Sequence, residues 1–137
     1  MNNKKIAYIQ FPGSNTENET INMLKKHGLE PCGHFWNDSP DMLKNYAGYI
    51  ILGGFSFEDR SRSGIIASLE PVMQEVKKHS LLGKPVLGIC NGAQILVESG
   101  LVPGNQSFNT LVSLTDNKRV VGNRIVGTGY YLSLIHI

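Results

Sequence analysis

The sequence predicts an α/β domain built on an open, mostly parallel sheet with helices on both faces. Segments typical of strands and of helices alternate from the N-terminus to about residue 104, which is the pattern of a parallel sheet. The main strand-like segments are short apolar runs, as expected for strands that are covered on both sides. A chain of 137 residues has room for one such domain.

The first half of the chain supplies three strands and one amphipathic helix. A helix is expected to begin at Thr16, which has Glu19 at capping-box spacing, and to end at Gly28. The other predicted elements of this half are strands at residues 5–10, 30–36 and 48–52 and a helical turn at 42–46.

The second half carries the longest predicted helix, at residues 65–79, and Pro71 predicts a kink or a break at Glu70. A fully buried strand is expected at residues 86–89, and a helix follows it and stops at Gly100. After Gly104 the pattern changes. Two strands are predicted there, at 108–114 and 119–126, joined by a turn at 115–118.

Composition excludes several classes of function. Apolar residues make up 41% and charged residues 18%, which is ordinary for a globular domain. The formal net charge of +2 comes from dispersed basic residues, which argues against a nucleic-acid surface. Neither a membrane-spanning apolar run nor a signal peptide is present, and no metal site is predicted. Cys32 and Cys90 lie far apart, which suits a reducing compartment, so the expected location is the cytoplasm.

The segment Gly88-Ile89-Cys90-Asn91-Gly92 has the pattern of a nucleophile elbow, with cysteine in place of serine. The elbow is a tight turn between a strand and a helix, and its glycines keep side chains from crowding the nucleophile. The following helix would point free N–H groups and a positive dipole at the sulfur, which favours the thiolate, the nucleophilic form. The alternative interpretation is a buried structural cysteine.

A second loop supports the catalytic interpretation. Gly53 and Gly54 end the strand at 48–52, and the carboxyl ends of strands in an open α/β sheet meet over one crevice. Backbone N–H groups of this pair, together with the amide of Asn91, would form an oxyanion hole. The alternative is that the glycines only turn the chain.

Three further side chains are candidates for binding. Gln94 lies four residues after Cys90, on the same side of the helix, and could hydrogen-bond an amide substrate, although a lone helical glutamine is usually on the surface. Arg60 and Arg62 follow the glycine loop within a run of mixed charge. They could bind an anion or a partner protein, but the default for such a run is a solvated loop.

Taken together, these segments resemble the class I, or triad-type, glutamine amidotransferases. Within them, the chain is most similar to the glutaminase component of phosphoribosylformylglycinamidine synthase. The blocks GGFS and CNG-x-Q are typical of this branch, whereas most sister families carry a GGP-type loop. The similarity spans residues 4 to about 126 and implies a flavodoxin-like fold. It rests on FPGSN (11–15), GGFSFEDRSRSGIIA (53–67), GKPVLGICNGAQIL (83–96) and GLVPG (100–104).

The resemblance implies that Cys90 attacks the side-chain carboxamide of glutamine and releases ammonia. Gly54 and Asn91 match the family's oxyanion-hole positions, and Ser56 and Gln94 match positions that contact glutamine. No cofactor is implied for this chain. The ammonia would pass to a large synthetase subunit that uses ATP and Mg in purine biosynthesis, with a small bridging subunit as a further partner.

One expected feature is absent from the sequence. The family's nucleophile is served by a His and a Glu near the C-terminus of the domain, and no H-x-E-like pair occurs here. His136 lies within LSLIHI, a segment typical of translated sequencing adapter, and is given no role. We therefore expect residues 1–131 to be the N-terminal part of one amidotransferase domain, incomplete at its C-terminus, and residues 132–137 to be a non-native tail. Met1, directly before the first strand, favours a separate subunit over a domain of a fused synthase.

Two other classes of protein remain as alternatives. One is a Cys-elbow α/β protein of the chaperone, glyoxalase and protease group without glutaminase activity, and such proteins typically lack the GGFS and CNG-x-Q blocks. The other is a non-catalytic interaction module.

Overall fold

The computed structural model describes residues 3–104, 107–122 and 124–134, and of residues 115–121 and 124–134 it describes the backbone alone. Within these ranges no helix combines the length and the hydropathy that a membrane crossing requires. The strands are β1 (Lys5–Gln10), β2 (Ser14–Asn15), β3 (Glu30–Phe35), β4 (Gly48–Ile51), β5 (Gly53–Gly54), β6 (Val86–Gly88), β7 (Val112–Val121) and β8 (Arg124–Leu134). The α-helices are α1 (Glu17–Lys26), α2 (Ile65–Leu69), α3 (Pro71–Leu81) and α4 (Asn91–Glu98), and 3-10 turns span Pro40–Asn45 and Ser56–Asp59.

The main sheet has four parallel strands in the order β3-β1-β4-β6. Counted within this sheet alone, the order is second, first, third, fourth, which is the flavodoxin-like arrangement. The predicted fold class is therefore confirmed. The direction of the crossovers reverses between β1 and β4, and this is the point at which open α/β sheets bind their ligands.

Helices cover both faces of the sheet. Successive strand residues point to opposite sides, so each face carries its own set of apolar residues. On one face, apolar residues of α3 and α4 pack against the sheet; the strand residues on this side are Ala7, Ile9, Tyr49 and Ile51. On the other face, Leu24 of α1 packs with the residues that lie one position along from these; they are Ile6, Tyr8, Ile50 and Leu52.

The strand before the cysteine is not fully buried, contrary to the prediction. β6 pairs with β4 on one side only and forms the edge of the sheet within the described part of the chain. Leu87 is 49% exposed, Ile89 is 40% exposed, and an apolar groove of about 260 Å³ runs beside Val86 and Leu87. An apolar run predicts a strand, but it does not reveal whether a neighbouring strand and helix will cover it.

The helix boundaries follow the prediction, but the cap of α1 does not. Thr16 makes no side-chain cap hydrogen bond to the helix. Its φ is 72°, and its hydroxyl donates to the carbonyl of Asn15. The reason is that Ser14 and Asn15 pair with β5, so the chain enters the helix through a left-handed residue. The break at Glu70 is confirmed, since that residue is extended and separates α2 from α3.

The C-terminal strands form an antiparallel hairpin, with its turn in a different place from the predicted one. Residues 115–118 lie inside β7, where a register shift occurs between Asp116 and Lys118, and the chain turns at Gly122, whose φ is 62°. Glycine reaches this backbone conformation at little cost, and this outweighs the polar composition of 115–118. Of the predicted tail, residues 132–134 continue β8, and residues 135–137, including His136, lie outside the described residues.

Candidate active site

Three loops meet at the carboxyl edge of the main sheet. They follow β1, β4 and β6, at residues 11–15, 53–59 and 89–90. Because β1 and β4 flank the reversal in strand order, the first two loops lie beside each other over the crevice. This edge brings together the candidate residues Gly54, Ser56, Cys90, Asn91 and Gln94.

Cys90 lies in an elbow between β6 and α4. It is exposed, and its φ of 54° and ψ of −116° are unusual for a residue with a side chain. Such a conformation costs free energy and persists where the surrounding structure holds it, often at a functional site. The predicted elbow is therefore present, and the interpretation of Cys90 as a buried structural cysteine is wrong.

The glycines on either side of Cys90 serve a purpose different from the expected one. A methyl group at Gly88 would lie 2.6 Å from the carbonyl oxygen of Gly92, and one at Gly92 would lie 2.1 Å from that of Ile51. Both clashes are with backbone rather than with the thiol. The glycines let the first turn of α4 pack directly on the carboxyl end of β4, which sets the position of Cys90.

The glycine loop lies against Cys90. A methyl group at Gly53 would lie 3.4 Å from Cβ of Cys90 and 3.3 Å from the carbonyl oxygen of Ile89, so the backbone of the loop approaches the cysteine with no side chain between them. Asn91 is the first residue of α4, and its N–H therefore has no acceptor within the helix. The two expected sources of oxyanion donors flank the same thiol.

The loop at 11–15 holds the glycine loop in place. β2 pairs with β5, and the N–H groups of Phe55 and Phe57 donate to Gly13 and Pro12 carbonyls at 2.9 and 2.7 Å. Gly54 has a φ of 116°, and a methyl group there would lie 2.4 Å from the Gly13 oxygen. Sequence reasoning missed this support because backbone pairing between distant loops leaves little side-chain pattern.

Ser56, Asn91 and Gln94 form a connected polar group. The buried N–H of Ser56 donates to Oδ1 of Asn91 at 3.0 Å. Nδ2 of Asn91 donates to Oε1 of Gln94 at 2.9 Å and, over 3.4 Å, to Oδ1 of Asp59. The Ser56 hydroxyl is buried and has no hydrogen-bond partner among the described residues. Sequence reasoning did not identify Asp59 or the role of the Asn91 side chain.

The two arginines have different environments. Arg60 pairs with Glu58, and both side chains are mostly in solvent, as expected for a solvated loop. Arg62 instead binds the buried carboxylate of Glu98 at the end of α4, and these hydrogen bonds raise the pKa of its guanidinium. Cys90, Gln94 and Glu98 recur every four residues, and this spacing was the available signal that Glu98 lies on the same helix face as Cys90.

Residues 3–120 match the CobB/CobQ-like glutamine amidotransferase domain. The chain belongs to this family. The match contains every loop of the candidate site, and the predicted membership of the glutamine amidotransferases is confirmed.

Within this family, the chain is similar to a glutaminase subunit of known type. It is 45% identical over 127 residues to the phosphoribosylformylglycinamidine synthase subunit PurQ of Methanothrix thermoacetophila, a match that covers 93% of the chain and 48% of that relative. The chain therefore spans about half the length of the curated relative it matches.

Two solved structures are similar in fold. PurLQS from Thermotoga maritima matches with a TM-score of 0.72 at 27% identity, over 98% of this chain and 71% of that one. A glutamine amidotransferase from Methylobacillus flagellatus matches with a TM-score of 0.52 at 15% identity, over 97% and 58%. The second likeness concerns the fold alone.

Proposed function

We propose that this chain carries the nucleophile-bearing part of the glutaminase component of phosphoribosylformylglycinamidine synthase. The observation that carries the proposal is the approach of the Gly53 backbone to Cys90 at the carboxyl edge of the main sheet. Family membership and the 45% identity to a PurQ subunit support the same assignment. The substrate is glutamine, and the product that matters to the synthase is ammonia.

In the proposed reaction, the thiolate of Cys90 attacks the side-chain carbonyl carbon of glutamine. The oxygen takes up negative charge and is stabilised by the N–H groups of Gly54 and Asn91. The C–N bond then breaks, nitrogen takes a proton and leaves as ammonia, and a glutamyl thioester remains on Cys90. Water adds to the thioester, the C–S bond breaks, and glutamate leaves with the thiol regenerated.

Ser56 and Gln94 are the proposed glutamine contacts. The unpartnered hydroxyl of Ser56 supports this role, since a buried polar atom without a partner is costly unless a ligand or water satisfies it. Gln94 is half-buried one turn after the nucleophile, and its amide is already oriented by Asn91.

The proposed partners are a large synthetase subunit, which would use the ammonia together with ATP and Mg, and a small bridging subunit. The solved PurLQS of Thermotoga maritima supports an assembly of this kind. We assign no cofactor to this chain. The proposed location is the cytoplasm, in keeping with Cys32 and Cys90, both of which are free thiols.

Complete turnover also requires a general acid and base. Among the described residues, His34 and His79 are buried against Tyr46 and Tyr49, and His27 follows the last residue of α1. None of these imidazoles forms part of the site described above. We therefore expect the 137-residue chain to release little or no ammonia from glutamine in a coupled assay. Robust release would contradict this expectation.

The proposal is tested by labelling with diazo-oxo-norleucine, a diazoketone analogue of glutamine. The thiol gives its proton to the diazo carbon, sulfur bonds to that carbon, and dinitrogen leaves. We expect a single adduct on Cys90, slowed by added glutamine and located by peptide mass spectrometry. Cys32→Ser should keep the adduct and Cys90→Ser should lose it. Labelling that glutamine does not slow would overturn the proposal and favour a Cys-elbow protein of another class or an interaction module.

A further inference from the structure

We propose that the side chain of Asn91 is a positioning residue that couples the oxyanion loop to the nucleophile's helix and orients Gln94. This inference rests on the proposed function. The backbone N–H of Asn91 is an expected oxyanion donor. Its carboxamide makes separate hydrogen bonds, and the residue is only 2% exposed. The carboxamide contacts Ser56, 35 positions earlier, and Gln94, three positions later, and it also reaches Asp59 over 3.4 Å.

The first part of the inference concerns the loop. The N–H of Ser56 is buried, and Oδ1 of Asn91 accepts its hydrogen at 3.0 Å. Ser56 follows Gly54 by two residues, so this bond ties the segment that carries one oxyanion donor to the residue that carries the other. The spacing between the two donors is thereby set through one side chain. An oxyanion hole depends on such preorganisation, since donors must already lie where the charge will develop.

The second part concerns the orientation of the Asn91 and Gln94 side-chain amides, which follows from which group donates and which accepts in each hydrogen bond. A backbone N–H can only donate, so the oxygen of the Asn91 amide must face Ser56. The nitrogen must then face Gln94, and Gln94 must present its oxygen to Asn91. This contact occupies one lone pair of the Gln94 oxygen and leaves its NH₂ group directed away from Asn91. Gln94 therefore meets glutamine chiefly through its NH₂ group, a donor that suits a carboxylate or carbonyl oxygen of the substrate.

The experiment compares two rates of Cys90 modification in each variant. Iodoacetamide requires only a reactive thiol, whereas saturating diazo-oxo-norleucine also requires the oxyanion loop, so the ratio of the rates isolates the loop. Asn91→Ala removes the contacts to Ser56, Gln94 and Asp59, and the ratio should fall about tenfold, the effect of one or two hydrogen bonds. Asn22→Ala, at an exposed position of α1, is the matched control and should leave the ratio unchanged.

Asn91→Asp separates the two parts of the inference. Its carboxylate still accepts from Ser56, so the ratio should stay within about threefold of the wild-type value. It cannot donate to Gln94 or to Asp59. Gln94 then turns its NH₂ group inward and offers oxygen to the substrate. The glutamine concentration that gives half-protection should therefore rise about tenfold.

Several outcomes would overturn the inference. One is an unchanged ratio in Asn91→Ala, and another is an equal loss of both rates, which indicates a general structural effect. If Asn91→Ala fails to fold by circular dichroism, Asn91→Asp decides, and wild-type protection in that variant contradicts the assigned polarity. Absence of glutamine-protected labelling in the wild-type chain would instead count against the proposed function. Protected labelling in the wild type that the Asn91 variants leave unchanged would count against this inference alone.

Discussion

Arg62 and Glu98 form a two-point ion pair that joins the loop after Gly53 and Gly54 to the end of α4. Nε of Arg62 lies 2.5 Å from Oε1 of Glu98, and the second guanidinium nitrogen lies 2.6 Å from Oε2. Glu98 is 7% exposed, whereas more than half of the Arg62 side chain reaches solvent. The guanidinium thus neutralises a buried carboxylate and holds the loop after Gly53 and Gly54 against the end of α4.

Arg62→Ala should therefore destabilise the protein, because it leaves a buried carboxylate without its cation. Solvent screens the exposed half of the pair, so we expect a loss of about 1–2 kcal/mol in the free energy of unfolding, measured by urea denaturation. Arg60→Ala is the control, since its pair with Glu58 is exposed and should change the stability by less than about 0.5 kcal/mol. Equal losses in the two variants would contradict the structural role of Arg62.

Gly92→Ala tests the packing of the elbow. The added methyl group would lie 2.1 Å from a backbone oxygen of Ile51, so β4 and α4 must separate. We expect a loss of at least about 2 kcal/mol in the free energy of unfolding and slower modification of Cys90. Gly33→Ala is the matched control, because its methyl group meets only the hydroxyl end of Tyr8, a side chain that can move. Similar free energies of unfolding in the two variants would show that β4 and α4 can separate at little cost, contrary to this prediction.

Cys90 should react with iodoacetamide about tenfold faster than Cys32 in the folded protein. Cys90 is exposed at a helix start, whereas Cys32 is partly covered, and burial, together with the charge of Glu30, raises the pKa of its thiol. The rates are measured by mass spectrometry on Cys32→Ser and Cys90→Ser, each of which retains one thiol. Equal rates in the native state would count against the elbow as an activating position.

Stability should fall below pH about 6.5, because two buried imidazoles resist protonation. His34 is fully buried with no partner for either nitrogen among the described residues, and burial lowers its pKa against a smaller opposing effect of Asp38. The pKa of His79 is also lowered, chiefly by burial. Below the ordinary histidine pKa the unfolded chain binds protons that the folded chain resists.

The contribution of each histidine is therefore complete above that pH and is lost as the pH falls through it, with a slope of at most about 1.4 kcal/mol per pH unit. Urea unfolding between pH 5 and 8 measures this profile. His34→Phe should flatten it, and Asn22→Ala should not. A profile that keeps its wild-type slope in His34→Phe would exclude His34 as a source.

Local pattern was sufficient for much of this protein. The alternation of apolar strands with helices, the break before Pro71 and the elbow at Cys90 all depend on residues within a turn or two of one another. The same is true of Gly28, which ends α1 with a φ of 71°. The capping box at Thr16 and the turn at 115–118 were predicted wrongly, because pairing with β5 and the position of Gly122 outweighed local preference.

The sequence by itself determined the order of the strands and helices along the chain, the elbow at Cys90 and the residue types that surround it. Only the tertiary structure decided that Asn91 accepts from Ser56, that Arg62 binds Glu98 and that β6 lies at an edge of the described sheet. The physical reason is the sequence separation of the residues that interact. Secondary structure and tight turns follow from local sterics and hydrogen bonding. The partner of a buried amide or carboxylate is chosen by loops more than thirty residues apart that the sheet brings to one edge.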